Sequence, residues 1–490
     1  MFGSKHVYLS FEMSANISNV DVILDTVDLD VPSCPHGPAL LFIKYDQDGE
    51  KPGKQRKFFA CSAFRDRKQC RFFQYADEKI SKEKIEERKL TNKGNSPKYS
   101  HVDLWNRCQR LRDTQLHDSA RVYCHTCDLL LLPEEHKDHK GHTLKTNISC
   151  SQLQHPTELF QPHNNNKTYA QYLFASSAVT FTLQTLDKIG VTHVLCVGAP
   201  RIHEAIINRS GSKGHSTNTL LLDLDARYMQ VYSSSQFCRF NMFNFHFFDS
   251  GTSEQVYQDF VTPSHQKRVA IVTDPPFGGM VEALARTMSR IMSDCVLQDK
   301  GEEEVVTVPV LWFFPYFLEK RVTDGIPALH MLDYKVDYDN HSLFSAKKKK
   351  GSPVRIFTNL PARQIPLPSN QGYRWCEMCE RYSAEENKHC GKCGCCPSKD
   401  GTSYIHCDTC ERCVKPSWVH CSICNRCQLQ DHKCGASRES GCHICGQSGH
   451  KRRDCPLKHL SNRKRKKELL SHSSAAVSLS KKRKKTGKRK

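Results

Sequence analysis

Between about residues 168 and 345 the chain alternates two textures. Short apolar runs occur in THVLCVGAP, TLLLDLD, CRFNMFNFHFF, KRVAIVTDPPF and VVTVPVLWFF. They are rich in β-branched and aromatic residues and too short for core helices, so they predict buried strands. Between them EAIINR, ARYMQVYSS and MVEALARTMSRIMSD place apolar residues three and four apart, which predicts helices with one buried face. Strand and helix in alternation over this length predict an α/β fold with a parallel, doubly wound sheet, assigned to residues 150–350.

Outside this region the apolar pattern is broken into small units. Residues 1–27 carry no strong signal, and a compact unit is expected over 28–80. The charged stretch SKEKIEERKL then reads as a solvated helix and TNKGNSPK as a linker. A second small unit covers 100–148, HNNNK near 163 is a turn-rich break, and the lysine run Lys347–Lys350 marks a loop. Beyond it lie a cysteine-rich region at 372–436, a short module at 440–457 and a polar tail at 458–490. The longest apolar run, Val305 to Leu318, is interrupted by Pro309 and Pro315. It falls short of the ~20 residues a membrane-spanning helix requires, which argues against an integral membrane protein. The start, MFGSKHVYLSFEM, lacks a basic segment followed by an apolar one, so secretion is not expected.

Charge sharpens the division. The formal charge is +20, and fourteen Lys/Arg against one Glu between Leu457 and Lys490 account for +13 of it. The clusters NRKRKK and KKRKKTGKRK, separated by a Ser/Ala-rich spacer, read as an unfolded nuclear or nucleolar localisation signal with nonspecific affinity for RNA. Of 26 cysteines, 16 lie between Cys376 and Cys455, and many stand beside histidines at ligand spacing. Without an export signal these read as zinc thiolates rather than disulfides.

Four groups of donors emerge. Cys34 and His36 in CPH, with Cys61 after RKFFA and Cys70 opening CRFFQY, supply four N/S ligands to a unit too small for a core of its own; the pattern resembles the GRF zinc finger, a nucleic-acid-binding module. Cys124 and Cys127 are followed by His136, His139 and His142, five donors for four places. The HKGH spacing resembles the closing ligands of B-box and C2H2-like fingers, which favours His139 and His142.

In the cysteine-rich region Cys376, Cys379, His389, Cys390, Cys393 and Cys396 recur 31 residues later as Cys407, Cys410, His420, Cys421, Cys424 and Cys427. Cys413, His432 and Cys434 are further donors, and the sequence leaves open which of them share an ion. The repeat resembles the cysteine-rich domain of DHHC palmitoyltransferases. Lys433 replaces the second histidine of their catalytic tetrad and the membrane helices are missing, so a zinc scaffold is expected and not an acyltransferase. Last, Cys442, Cys445, His450 and Cys455 have the zinc-knuckle spacing, with Gly446 and Gly449 for the tight turn and Arg452 and Arg453 placed for single-stranded nucleic acid.

The tetrapeptide Asp274-Pro275-Pro276-Phe277 follows the strand VAIVT. In a doubly wound sheet, ligands bind beyond the carboxyl ends of the strands, so it falls in the cleft. An aromatic amine has its lone pair delocalised into its ring. A carboxylate and a proline carbonyl that accept its two N–H bonds draw that pair back onto nitrogen, and Phe277 can stack on the base. The motif resembles the (D/N)PP(Y/F/W) signature of amino-methyltransferases. The upstream strand ends in Gly198-Ala199-Pro200-Arg201, at the place of the S-adenosylmethionine loop but with one glycine instead of three. LLLDLD then offers Asp223 or Asp225 for the ribose hydroxyls, and Asn241-Met242 on the next strand is an expected adenine contact.

Taken together, the two fingers, CVGAPR, LLDLDAR, DPPFGG, the repeat and the knuckle resemble, in this order, the zinc finger CCHC domain-containing protein 4 family over about residues 30–456. The resemblance implies a Rossmann-like class I methyltransferase sheet flanked by several small zinc-stabilised modules. It also implies S-adenosylmethionine and Zn²⁺ as cofactors, and N6 methylation of adenosine in large-subunit ribosomal RNA. On this basis Asp274, Pro275, Pro276 and Phe277 grip the target adenine, and Gly198, Asp223 and Asp225 contact the cofactor. Gln171-Tyr172-Leu173-Phe174 help close its pocket, although composition alone makes this segment a helix face packed on the sheet. An adenine hides N6 inside a duplex, so the expected partner is RNA with an unpaired or flipped adenosine. Ribosome-biogenesis factors are further expected partners in the nucleus and nucleolus, with some protein in the cytoplasm. Two alternatives stay open: a protein lysine methyltransferase, since a lysine amine can use the same acceptors, and a non-enzymatic zinc-finger RNA-binding scaffold.

Overall fold

Uniformly apolar five- and six-residue runs bury both faces of a strand, and in the computed structural model those runs assemble into one eight-stranded sheet. The structure describes residues 20–27, 29–45, 55–64, 67–94, 98–113, 115–162, 171–209, 217–249, 251–264, 266–296, 307–340, 352–432 and 434. The expected HNNNK break, the lysine run, the zinc knuckle and the basic tail lie outside the described residues. The chain forms two units, one of Val22–Leu41 with Phe59–His432, the other of Met1–Asp21, Phe42–Phe58 and Lys433–Lys490. In the second, Phe42 stacks on Phe58 with ring centroids 5.5 Å apart.

The sheet belongs to the first unit. Its strands, numbered within the sheet, are β1 His193–Val197, β2 Asn218–Asp223, β3 Phe237–Asn241 and β4 His246–Phe247. They continue with β5 Val269–Thr273, β6 Val310–Pro315, β7 His330–Leu332 and β8 Val354–Thr358. The order is β4-β3-β2-β1-β5-β6-β8-β7. From β3 to β6 all neighbours are parallel. The sheet as a whole is mixed, which corrects the expectation of a parallel one. The CRFNMFNFHFF run holds two strands, not one: the turn Met242–Phe245, with Phe245 at φ +53°, is too short for a crossover, so β4 returns antiparallel to β3. The buried VRIFT run past the lysines supplies β8, antiparallel to both β6 and β7, so the sheet extends beyond residue 350.

The helices of this unit include α1 Ser176–Lys188, α2 Pro200–Arg209, α3 Thr252–Val261, α4 Val281–Asp294 and α5 Glu319–Gly325. Ala178 and Phe181 of α1 and Ile202 and Ile206 of α2 share one core with Val194, Cys196, Ala270 and Val272. Each such side chain contributes roughly 1.5–3 kcal/mol when fully buried. The expected helix ARYMQVYSS shrinks to one 3₁₀ turn, Ala226–Gln230. Arg227, Tyr228, Met229 and Gln230 are all buried, so the segment has no solvent face for an amphipathic helix to present. The stretch Gln171–Phe174 is extended and not helical: Leu173 and Ala175 exchange backbone hydrogen bonds with Asp339 and Asp337, and Phe174 bridges Tyr338. SKEKIEERKL is helical from Lys82, as expected, but the helix runs on to Gly94 and so takes in the first four residues of the expected linker TNKGNSPK.

The small modules are built onto this sheet by buried polar contacts. The hairpin Ser33–Cys34/Gly37–Pro38 lies against β4, where Gly37 (φ +89°) is required because a Cβ would stand 2.3 Å from His246 Cδ2. The helix His101–Leu111, capped reciprocally by Ser100 and Asp103, packs on the Ala226–Gln230 turn. There Gln230 donates to the Asp128 carbonyl (2.9 Å) and accepts the Leu130 N–H (2.8 Å). At the far edge Asp333, just after β7, accepts the Ala384 N–H (2.9 Å) and Asn387 Nδ2 (3.1 Å) of the cysteine-rich ribbon. Among the described residues no helix is long and apolar enough to cross a membrane.

Candidate active site and zinc centres

The parallel register does most of the work of assembling the cleft. Val197 pairs with Leu222 on one side and Thr273 on the other, so Gly198, Asp223 and Asp274 stand side by side at the carboxyl ends of β1, β2 and β5. The chain leaves β1 towards β2 and later returns to β5 on its other side, which makes this the switch point where such sheets bind ligands. Gly198 (φ +64°) turns the chain into α2, whose first residue is Pro200 with its φ preset for helix. A Cβ on Gly198 would lie 2.6 Å from Met242 Cε and 3.3 Å from the Asp274 carbonyl oxygen. One glycine therefore suffices where the sequence lacks the other two.

Asp223 accepts the N–H of Asp225 (2.9 Å), and burial, aided by the Asp225 charge, pushes its carboxyl up to about 7. Asp225 caps the following turn and is held by Arg227, whose Nε lies 2.9 Å from Oδ1, and by Gln171 Nε2, 2.9 Å from Oδ2. Asp225 thereby ties Gln171 over the strand ends, beside Asp223. Two expected cofactor contacts are corrected. Asn241 is 1% exposed, and its amide donates to the His36 carbonyl and Ser62 Oγ of the first finger, both at 2.8 Å. Arg201 points to Thr157 Oγ1 (2.8 Å) and lies 3.7 Å from Glu204, on the side of α2 that anchors the Pro156–Leu159 turn. Met242 keeps its place beside Gly198.

Asp274 is fixed by its own N–H, which bonds the Val197 carbonyl at 3.2 Å. Pro276 and Gly279 close a turn (2.9 Å), and Gly279 leaves no room for a side chain because Phe243 would be 2.7 Å from its Cβ. Around the motif stands an aromatic group that sequence reasoning did not assemble. Tyr172 lies nearly parallel to Phe277 (6.0 Å, 24°), and Phe314 and Tyr338 meet Phe277 edge-on, both at 6.1 Å. Gln171–Phe174 thus closes both halves of the cleft: Gln171 over Asp225, Tyr172 over Phe277, and Phe174 buried between Phe313 and Tyr338. Tyr338 Oη donates to Asp274 Oδ1 at 3.0 Å. Burial holds the Asp274 carboxyl well above the usual carboxylate range, and the Tyr338 hydrogen bond opposes that shift.

The cysteines and histidines collect into tetrahedral donor sets. Cys34, His36, Cys61 and Cys70 form one, and Cys124, Cys127, His139 and His142 another, with His136 outside it. The ribbon contains Cys376, Cys379, His389 and Cys396, then Cys390, Cys393, His406 and Cys413, then Cys407, Cys410, His420 and Cys427. Zn–S near 2.3 Å and Zn–N near 2.0 Å put neighbouring donors about 3.3–3.8 Å apart on a tetrahedron. Cys379 to His389 Nδ1 is 3.2 Å, Cys393 to Cys413 is 3.6 Å, Cys407 to His420 Nδ1 is 3.8 Å, and Cys127 to His142 Nδ1 is 3.4 Å. These sets fit Zn²⁺. After Cys127, Cys379, Cys393, Cys410 and Cys424, each the second cysteine of a Cys-x2-Cys, the next residue adopts a left-handed turn, at Asp128, Glu380, Gly394, Glu411 and Asn425. Further along, Cys424 Sγ is 3.4 Å from His432 Nε2, beside Cys421, and Cys434 is exposed.

His406 is the ligand that the 31-residue repeat concealed. The ribbon is read correctly from three His-Cys dipeptides, His389-Cys390, His406-Cys407 and His420-Cys421, each opening Cys-x2-Cys-x2-Cys. Successive side chains of an extended chain point opposite ways, so each histidine closes the ion behind it while its cysteine opens the one ahead. The third cysteine, Cys396, Cys413 or Cys427, reaches back again. The centres are therefore interleaved and not two separate copies.

A switch-point cleft with an acidic residue on the second strand and DPPF on β5, framed by zinc fingers, defines a zinc-finger class I amino-methyltransferase. The profile described as probable N6-adenine methyltransferase matches residues 165–346, that of the GRF zinc finger 32–79, and that of the zinc knuckle 440–457. The chain is 44% identical over 454 residues to the human rRNA N(6)-adenosine-methyltransferase ZCCHC4, covering 92% of this chain and 87% of that protein. To its Xenopus tropicalis counterpart it is 44% identical over 474 residues, 96% of each chain, and to that of Mus musculus 46% over 427 residues, 87% and 82%. The protein belongs to the ZCCHC4 family of rRNA N6-adenosine methyltransferases.

Proposed function

We propose that the protein methylates N6 of an unpaired or flipped adenosine in large-subunit ribosomal RNA. The observation that carries the reading is the alignment of Gly198, Asp223 and Asp274 across β1, β2 and β5, with Tyr172 lying nearly parallel to Phe277 of the same motif. S-adenosylmethionine, when bound over Gly198 and Asp223, supplies an electrophilic methyl group. Asp274 accepts one N–H of the target amine. The Pro276 carbonyl already closes its turn with Gly279, so the second N–H is assigned to the Pro275 carbonyl. Both acceptors localise the nitrogen lone pair, and Phe277 holds the base by stacking, an interaction worth roughly 1–3 kcal/mol. Closure by Gln171–Phe174 keeps water from the reacting atoms.

The zinc centres fold the fingers and the ribbon, which buried polar contacts hold on the sheet, where they can grip flanking RNA by shape and phosphate. The two basic clusters of 458–490 support a nuclear and nucleolar address, and the same reading includes a further pool in the cytoplasm and contact with ribosome-assembly factors. The test is transfer of label from S-adenosylmethionine in a mixture of unmodified ribosomal RNA and ribosomal proteins. Label that ribonuclease releases and that runs as N6-methyladenosine supports the reading. Label in protein moves the substrate to lysine, and no label leaves a zinc-finger scaffold.

A further inference from the structure

A carboxyl accepts a hydrogen bond from a neutral amine most strongly in its ionised form, because protonation turns one of its two oxygens into a donor. Asp274 stands in an aromatic, cation-free setting: the described groups that bear on its carboxyl are the protein interior and one phenol, with no Lys, Arg or His among them. An isolated carboxyl in such a place holds its proton, and would then offer the substrate a donor where an acceptor is needed.

We propose that Tyr338 is the positioning residue that keeps Asp274 in its accepting form and aims it, by donating its hydroxyl to Oδ1 and leaving Oδ2 for the target amino group. The inference rests on the role of Asp274 given under the proposed function. The geometry is specific. Tyr338 is 1% exposed, its hydroxyl is 3.0 Å from Oδ1, and its ring is stacked on Phe174 (5.2 Å, 23°) and met edge-on by Tyr172 and Phe277. Its backbone is fixed as well, since Phe174 bridges it and the flanking residues bond Leu173 and Ala175. The phenol cannot swing away, and burial beside Asp274 keeps it protonated, so its O–H stays available to donate. The titratable groups facing this pair are Tyr172, on the closing segment, and each other.

The arrangement links the closing segment to the chemistry. Gln171–Phe174 orders residues 337–340, and those residues deliver the hydroxyl that prepares the carboxylate.

Tyr338→Phe keeps the ring and removes only the donor. The test is the pH profile of kcat and KM for methyl transfer by the full chain, on unmodified ribosomal RNA, with S-adenosylmethionine binding measured by calorimetry. A lost hydrogen bond to a charged group corresponds to about 10- to 100-fold in the protonation equilibrium, or one to two pH units. The expected result is an acidic limb of kcat moved up by that amount, so that activity falls at least about tenfold near neutral pH and recovers above it, while cofactor affinity and thermal midpoint stay near wild type. An unchanged profile, or a uniform loss across pH together with weaker cofactor binding, would overturn the proposal and leave Tyr338 a packing residue. Asp274→Ala run alongside separates the two levels: full activity there overturns the role of Asp274 itself, whereas inactive Asp274→Ala with unshifted Tyr338→Phe overturns only the role of Tyr338.

Discussion

Gly198 is a position at which the cleft tolerates little change, and Gly198→Ala tests whether its geometry is what holds the cofactor. Two costs add. At φ +64° an alanine pays about 1–2 kcal/mol of left-handed strain whatever surrounds it. Its Cβ would also stand 2.6 Å from Met242 Cε and 3.3 Å from the Asp274 carbonyl oxygen. The first neighbour is the tip of a flexible side chain and can turn aside. The second is backbone of the catalytic motif, so relief there displaces Asp274; such overpacking costs roughly 1–3 kcal/mol. The total of about 2–5 kcal/mol is relieved in the free protein by moving the loop off the geometry the cofactor needs, and restoring that geometry on binding weakens S-adenosylmethionine affinity roughly 30-fold or more. Calorimetry on Gly198→Ala, Met242→Ala and the double variant separates the parts: Met242→Ala recovers the clash with Cε, while the strain, at least about fivefold in Kd, remains. Gly198→Ala binding within twofold of wild type, or complete rescue by Met242→Ala, would refute the reasoning.

The other predictions concern the proton, the metal and the finger. Asp223 binds its proton up to about pH 7 in the free protein, whereas ribose hydroxyls need the ionised form, so S-adenosylmethionine binding weakens as pH falls below about 7 and releases a proton near pH 6–7; calorimetry in buffers of different ionisation enthalpy detects both, and Asp223→Asn abolishes the dependence. Without cofactor the sign reverses, because a raised carboxyl favours folding at low pH and that contribution is lost between about pH 4 and 7. His406→Ala lowers the zinc content by one ion per chain in plasma mass spectrometry, whereas Cys395→Ser, outside these donor sets, leaves it unchanged. Asn241→Ala removes two buried hydrogen bonds to the first finger, costs about 1–3 kcal/mol, and exposes the Val22–Leu41 segment to limited proteolysis before the sheet unfolds.

Much of this architecture is legible in the amino-acid order because burial leaves a strong mark on short strands. HVLCV, NTLLLD, VAIVT and VLWFFP are strands as their composition predicts, and the parallel register alone aligns Gly198, Asp223 and Asp274. The ARYMQ turn misleads because it is buried on all sides, so a helical spacing of apolar residues there reflects contacts to the second finger and not an amphipathic face. Asn241 misleads because position on β3 does not show that a finger 205 residues earlier in the chain claims its amide. His406 is hidden by a true repeat whose period suggests two copies, when the ligands alternate between three centres. Tyr338 has no motif at all; only the pairing of residues 337–340 with 171–175 brings it to Asp274.

The central claim is that Asp274 and Phe277 present an adenine N6 to the methyl donor. Its most direct measurement is nucleoside mass spectrometry of unmodified ribosomal RNA after incubation with labelled S-adenosylmethionine and wild type, Asp274→Ala or Phe277→Ala, with cofactor binding verified for each. Labelled N6-methyladenosine from wild type alone, at unchanged cofactor affinity in the variants, is the predicted result. Undiminished N6-methyladenosine from Asp274→Ala would contradict the account.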